Sequence, residues 1–209
     1  MPPSGYRTAT EVEIKKSRFI TTLARTDTEA GARALIAEVR AAHPEARHHA
    51  TAYVIDDGGV RLTRSSDDQE PAGTAGAPML NALTRAECTN VTAVVTRYFG
   101  GIKLGTGGLT RAYGGCVAQA VALAPRVVKE VRQVWAVEAP HAEAGRVQDE
   151  LLRSGGALMD AEYGDQSVRL TWVFAADPTS LLSRVTQGSL TATRVGEVTV
   201  EVPVLTFDN

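Results

Sequence analysis

Two short stretches of this chain hold residues that could do chemistry together. The first is cationic: Arg97, Tyr98, Lys103, Thr106, Gly107, Gly108 and Arg111 fall within TRYFGGIKLGTGGLTR. The second is acidic: Asp67, Asp68 and Glu70 lie in SSDDQEPAGTAGAPML, with Thr74 following. Arginine and lysine beside a glycine-rich turn suit an anion, because free backbone N–H groups at a helix start add to the side-chain charge. Lys103 is informative because the chain holds 18 Arg and only 4 Lys. A lysine between two glycine turns suits a site that wants a compact charge with three donors rather than a planar fork. The carboxylates could hold Mg²⁺, or hold Lys103 and Arg111. The bland alternatives are a solvated lysine, glycines that only permit tight packing, and a polar loop with a capping acid.

The elements that must position these residues are legible nearby. Val91–Thr96 is packed with β-branched residues and reads as a strand, closed by Arg97-Tyr98-Phe99. After the glycine turns, Leu109, Ala112, Tyr113, Cys116, Val117, Ala120 and Ala124 recur on one face of a helix. Gly114 and Gly115 sit inside that helix, where each costs roughly 1 kcal/mol relative to Ala. They imply a close approach by a neighbouring element or a ligand. Arg97, Tyr98, Phe99, Arg111 and Tyr113 interleave cations with aromatics, as in sites that stack bases and hold phosphates. Tyr113 lies on the apolar stripe and is favoured as core.

The rest of the chain reads in order. Residues 1–10 are a polar, flexible lead. Glu11–Ala24 is a strand pair or one bent strand carrying the basic cluster Lys15, Lys16 and Arg18. Asp27 caps a helix to Ala42. His49–Ile55 and Val60–Arg64 form a hairpin turned at Asp57-Gly58, and His48 and His49 point to opposite faces. The acidic loop leads into a helix running to about Ala86, with Pro78 in its first turn. A boundary falls at Pro125–Lys129. Beyond it come a strand (130–137), a helix (142–154), two strands (157–163 and 167–174), a helix begun at Asp177-Pro178 and a strand (198–204). That βαββαβ order is ferredoxin-like. The expected division is a lead to residue 10, a first domain over 11–126 and a second over 127–209, in the α+β class.

Composition narrows the function. The 209 residues are 44% hydrophobic and 22% charged, with net charge −2, ordinary for a soluble globular protein. Residues 1–128 carry +3 and residues 129–209 carry −5, so a polyanion is expected to meet the first part. Cys88 and Cys116, with no CxxC, read as reduced core thiols of a cytoplasmic protein. No long apolar run or signal core suggests a membrane. P-loop, GxSxG and HExxH patterns are absent, and the acid expected of a dinucleotide site is missing. No catalytic residue, cofactor or metal set can be named.

TRYFGGIKLGTGGLTRAYGG, with SSDDQEPAGTAGAPML upstream and KKSRF at 15–19, strongly resembles the IMPACT/YigZ family over nearly the whole chain. Gln69 stands where that motif usually has Gly; Glu70, Pro71, Gly73, Thr74, Ala75 and Gly76 keep the pattern. The resemblance implies a first domain similar to a β/α fold found in a small-subunit ribosomal protein, in domain IV of elongation factor G and in GHMP kinases. It implies a second domain like domain V of elongation factor G. Eukaryotic members are implied to restrain a starvation-activated kinase of an initiation factor. The leading expectation is a non-enzymatic, translation-linked regulator whose partner is RNA, the ribosome or a translation factor. The alternatives are an enzyme or sensor for a small phosphorylated ligand or nucleotide, with Asp68 or Glu70 as base, and a protein-interaction module whose glycine segment is purely structural.

Overall fold

The structure, a computed structural model, describes residues 1–204. Its chain divides into two compact units: Met1–Val128 with the described residues from Pro203 on, and Lys129–Val202. Each is mixed α and β, with its own antiparallel sheet.

In the first unit the strands are β1 (Arg7–Ile14), β2 (Ser17–Arg25), β3 (His48–Asp57), β4 (Val60–Ser66) and β5 (Val91–Tyr98), in the order β1-β2-β5-β3-β4. Residues 7–10, expected in a flexible lead, are the first half of β1, whose alternate residues are half-buried against solvated neighbours. The terminal amino group donates to the Val127 carbonyl, and Val127 N–H donates back to the Met1 carbonyl. The helices are α1 (Glu29–Ala42), α2 (Gly76–Arg85) and α3 (Thr106–Leu123). Thr28, not Asp27, caps α1: its hydroxyl accepts from Gly31 N–H, while Asp27 pairs with Arg25 and Asn90.

β5 is buried on both faces, which is why it reads as a β-branched run without apolar–polar alternation. Val91, Ala93 and Val95 face the core shared with α2 and α3, where Met79, Leu83, Tyr113 and Val117 are fully buried. Val94 faces α1 through Leu35 and Val39. The period of two therefore sends Arg97 to the α2/α3 side and Tyr98 to the α1 side. The same rule in β3 puts His48 with Arg97 and His49 with Thr96.

Two hairpins carry two-residue turns with both central residues in the left-handed region. One is Gly58-Gly59, one residue beyond the expected Asp57-Gly58; the other is Lys15-Lys16. Gly100 is where the second touches β5's end. A Cβ there would lie 1.9 Å from the Lys16 carbonyl oxygen.

The second unit is built from β6 (Val127–Pro140) from Lys129 on, α4 (His141–Arg153), β7 (Ala157–Tyr163), β8 (Ser167–Phe174), α5 (Thr179–Thr186) and β9 (Ala192–Pro203) as far as Val202. Its sheet order, β7-β8-β6-β9, is that of the ferredoxin-like split unit. Trp135, Val137, Leu170 and Trp172 form its core with Val147 and Leu151 of α4. β9 begins six residues earlier than the expected Val198, because residues 192–197, mostly exposed, lack the apolar alternation of a half-buried strand. Residues 205–209 of the expected second domain lie outside the described residues.

Candidate functional site

Arg97 is the residue on which the site is built. It is the last residue but one of the doubly buried strand β5, its guanidinium enters the core, and its side chain is only 6% exposed. Such a charge requires a partner. Nη1 donates to Glu70 Oε1 at 2.8 Å, and Nη2 to the Ser17 hydroxyl at 3.4 Å. The guanidinium lies 5.5 Å from the ring centres of both Phe19 and Phe99. Glu70, 3% exposed, also accepts from the Tyr113 hydroxyl at 2.7 Å. Burial and the Glu70 hydrogen bond push the Tyr113 phenol far above its ordinary range.

The acidic loop is arranged to deliver Glu70. Asp67 accepts from three backbone N–H groups, those of Gly73, Ala75 and Gly76, at 2.8–2.9 Å. Burial would raise its carboxyl, but the three N–H donors prevail and hold it below the ordinary value. Asp68 accepts from Arg40 at 2.5 Å and from His49 N–H at 2.6 Å, and its carbonyl meets His48 Nδ1 at 3.0 Å. The Thr74 hydroxyl donates to the Pro71 carbonyl. The expectation that these acids hold Lys103 and Arg111 is corrected: they hold Arg97, Arg40 and backbone.

Lys103 is consequently left without a carboxylate. It lies on a cleft of about 450 Å³ lined also by Arg47, His48, Glu70, Arg97, Phe99 and Thr106. Among the described residues, neither Lys103 nor Arg47 makes an ion pair or side-chain hydrogen bond. The start of α3 opens on the same cleft. Gly105, at φ 72°, takes the N-cap position, no side chain caps the helix and no acid occupies its first turn. The N–H groups of Thr106, Gly107 and Gly108 therefore have no intrahelical acceptor. A Cβ on Gly108 would come within 3.0 Å of Leu104 Cβ, so this glycine serves the tight turn. Phe99 is half exposed, at 52%.

Three further residues fall differently from the expectation of one site. Tyr98 is on the opposite sheet face, where its hydroxyl shares a 3.0 Å hydrogen bond with His43 Nδ1 and Arg18 lies over its ring. Arg111 lines a groove between α2 and α3 rather than the cleft, although its Nη1 would lie 3.7 Å from a Cβ on Gly107. Gly115 has nothing within 4 Å of its absent Cβ, whereas a Cβ on Gly114 would lie 3.4 Å from the Pro78 carbonyl oxygen. Arg47 and Ser17 escape sequence reasoning because only strand pairing brings β2 and the β3 approach beside β5.

This geometry occupies the matched part of the chain. The profile of the Impact N-terminal domain matches residues 15–121, from the Lys15-Lys16 turn to the last turns of α3. The chain belongs to the IMPACT family. IMPACT family member YigZ of Escherichia coli is 44% identical over 154 residues, 72% of this chain and 74% of that protein. A solved hypothetical protein matches at 36% identity over 93% of this chain and 96% of its own, with a TM-score of 0.55. The solved two-domain translational regulator Yih1 aligns over 57% of this chain and 49% of its own, at 25% identity and a TM-score of 0.38. No helix among the described residues is long and apolar enough to cross a membrane.

Proposed function

We propose that this chain is a non-enzymatic, translation-linked regulator that binds RNA, the ribosome or a translation factor through the Lys103 cleft. The translation link rests on the IMPACT family resemblance; the mode of binding rests on the site. One observation carries the latter: the loop carboxylates are consumed internally, while Lys103, Arg47 and the start of α3 are left unpaired around an exposed aromatic ring. Phosphate on the cations with a base against Phe99 is the chemistry this combination serves. Glu70 and Asp68, already engaged, support the cleft as scaffold rather than as bases. Lys15 and Lys16 add two exposed charges at the turn that touches Gly100.

Co-sedimentation with ribosomes and with single-stranded RNA, at low and high salt, tests this reading. Binding should weaken steeply with salt. Lys103→Ala and Arg47→Ala should each weaken it and lower the slope of log K against log salt by about 0.7 for each phosphate no longer neutralised. Binding that ignores salt or both substitutions overturns the reading.

A second reading is favoured by the cleft's volume, which lies within the roughly 300–1,000 Å³ usual for small-molecule sites. A phosphorylated metabolite or nucleotide would then take the same cations. Thermal unfolding against a nucleotide and sugar-phosphate panel distinguishes it, because a ligand at 100 times its dissociation constant adds about 2.7 kcal/mol of stability.

A further inference from the structure

Arg111, Gly114 and Gly115 belong to the family motif, yet the Lys103 cleft uses none of them. They line a groove of about 750 Å³ between α2 and α3. Each helix gives one stripe: Pro78, Ala82 and Ala86 at helical spacing from α2, and Gly114, Gly115, Ala118 and Ala122 from α3. The Gly114 backbone approaches Pro78, and Arg126 donates to the Ala86 carbonyl, so the two helices run in the same direction. This places Arg111 near one end of the groove and Arg85 with Arg126 near the other. Thr110 to Ala122 along α3 makes the floor about 18 Å long at 1.5 Å per residue.

Three features bear on what such a groove takes. Its lining includes three arginines and no carboxylate. Arg85 and Arg111 make no ion pair among the described residues, in a chain whose net charge is −2. The floor is alanine and glycine with no aromatic ring among the lining residues, so it offers a nucleic-acid base nothing to stack on. The missing side chain of Gly115 leaves room that the described residues do not use, at a position where Gly weakens the helix relative to Ala.

We propose that the α2–α3 groove is a protein-docking surface whose occupant is an acidic amphipathic helix of a partner protein. About three turns of helix match the floor's length. A small-residue face would lie on Gly115, Ala118 and Ala82, with carboxylates at both ends meeting Arg111 on one side and Arg85 and Arg126 on the other. Helix-in-groove recognition of this kind takes specificity from the spacing of its anchors. Charged groups at the rim set the salt dependence and the association rate.

The test is selection from a displayed library of 16-residue helices against the full chain, followed by fluorescence anisotropy with the selected peptides. The expected peptides carry Asp or Glu at both ends of an Ala-, Gly- or Leu-faced helix. Their binding falls tenfold or more in Gly115→Leu, which fills the floor, and in Arg111→Glu. Gly115→Leu is a helix-compatible change in open space, and its thermal melt shows that the fold survives. The Gly115→Ala melt is an independent check on that packing. Neutral or basic selected peptides, no selected peptides, or peptides that bind both variants as tightly as the parent overturn the proposal. So does displacement of a bound peptide by a single-stranded RNA 20-mer that itself loses binding in Gly115→Leu, which would make the groove an RNA surface. A dimer in sedimentation velocity that is lost in Gly115→Leu would assign the groove to a second copy of this chain instead.

Discussion

Glu70 links both predicted motifs: it comes from the acidic loop and receives Arg97 from the strand and Tyr113 from the helix. With both charged side chains almost fully buried, removing one leaves the other uncompensated. Glu70→Ala should therefore destabilise the first unit by roughly 3–5 kcal/mol. Tyr113→Phe removes only the hydrogen bond to a charged acceptor and should cost about 1.5–3 kcal/mol. Urea unfolding of the two variants checks the ranking; equal losses would mean that the ion pair contributes nothing beyond the Tyr113 hydrogen bond. Asp67 makes a different prediction. Its folded pKa is depressed below the ordinary 3.8 by three backbone N–H donors. The stability it contributes is complete above the unfolded pKa and disappears as pH falls through the folded one. Asp67→Asn should flatten the stability curve on the acid side, measured by thermal melts from pH 6 downwards. An unchanged acid limb would show that these hydrogen bonds form as well with a neutral side chain.

At the scale of elements, the glycines separate packing needs from vacancies. Gly100→Ala drives a Cβ into the Lys16 carbonyl and should destabilise by at least about 1–3 kcal/mol, as overpacking does. Gly115→Ala meets nothing and should stabilise by about 0.4–1 kcal/mol. Gln69 sits at φ 69° where the family motif usually has Gly. Gln69→Gly should therefore add about 1 kcal/mol by relieving a left-handed non-glycine residue. Chemical denaturation ranks the three changes, and a stabilising Gly100→Ala would contradict the packing described. These positions also mark how far sequence carries. The strand Val91–Tyr98 and the α3 stripe were legible because burial on one or both faces leaves a period of two, a period of 3.6 or a continuous apolar run. So were β7 and β8. Arg97, Lys103, Thr106 and Glu70 were legible as a group because loop chemistry is local. Tyr98 was separable from Arg97 by strand alternation alone. The approach of Arg47, Ser17 and the lysine turn was not, since it depends on which strands pair. β1 was partly missed because it is an edge strand whose first half puts only Thr8 and Thr10 on the half-buried face.

At the scale of the whole molecule, each hydrophobic cluster lies within one unit, and both tryptophans, Trp135 and Trp172, lie in the second. Tryptophan fluorescence is therefore a reporter for one unit, while the binding proposed for the Lys103 cleft would report the other. Leu151 is 1% exposed in the second core, and Leu151→Ala should cost about 2–5 kcal/mol there. If the units unfold separately, Leu151→Ala lowers the urea midpoint seen by fluorescence and leaves the proposed RNA binding intact. Glu70→Ala then lowers the midpoint of the remaining far-UV signal and leaves fluorescence unmoved. Fluorescence and far-UV signals that shift together in both variants would mean one cooperative transition. The distinction bears on function because the two parts differ in charge, +3 for residues 1–128 and −5 for residues 129–209. The net charge of the second part adds no overall attraction for the polyanion proposed to bind the first. A coupled second unit would transmit occupancy of the cleft, which Leu151→Ala would reveal as weakened RNA binding.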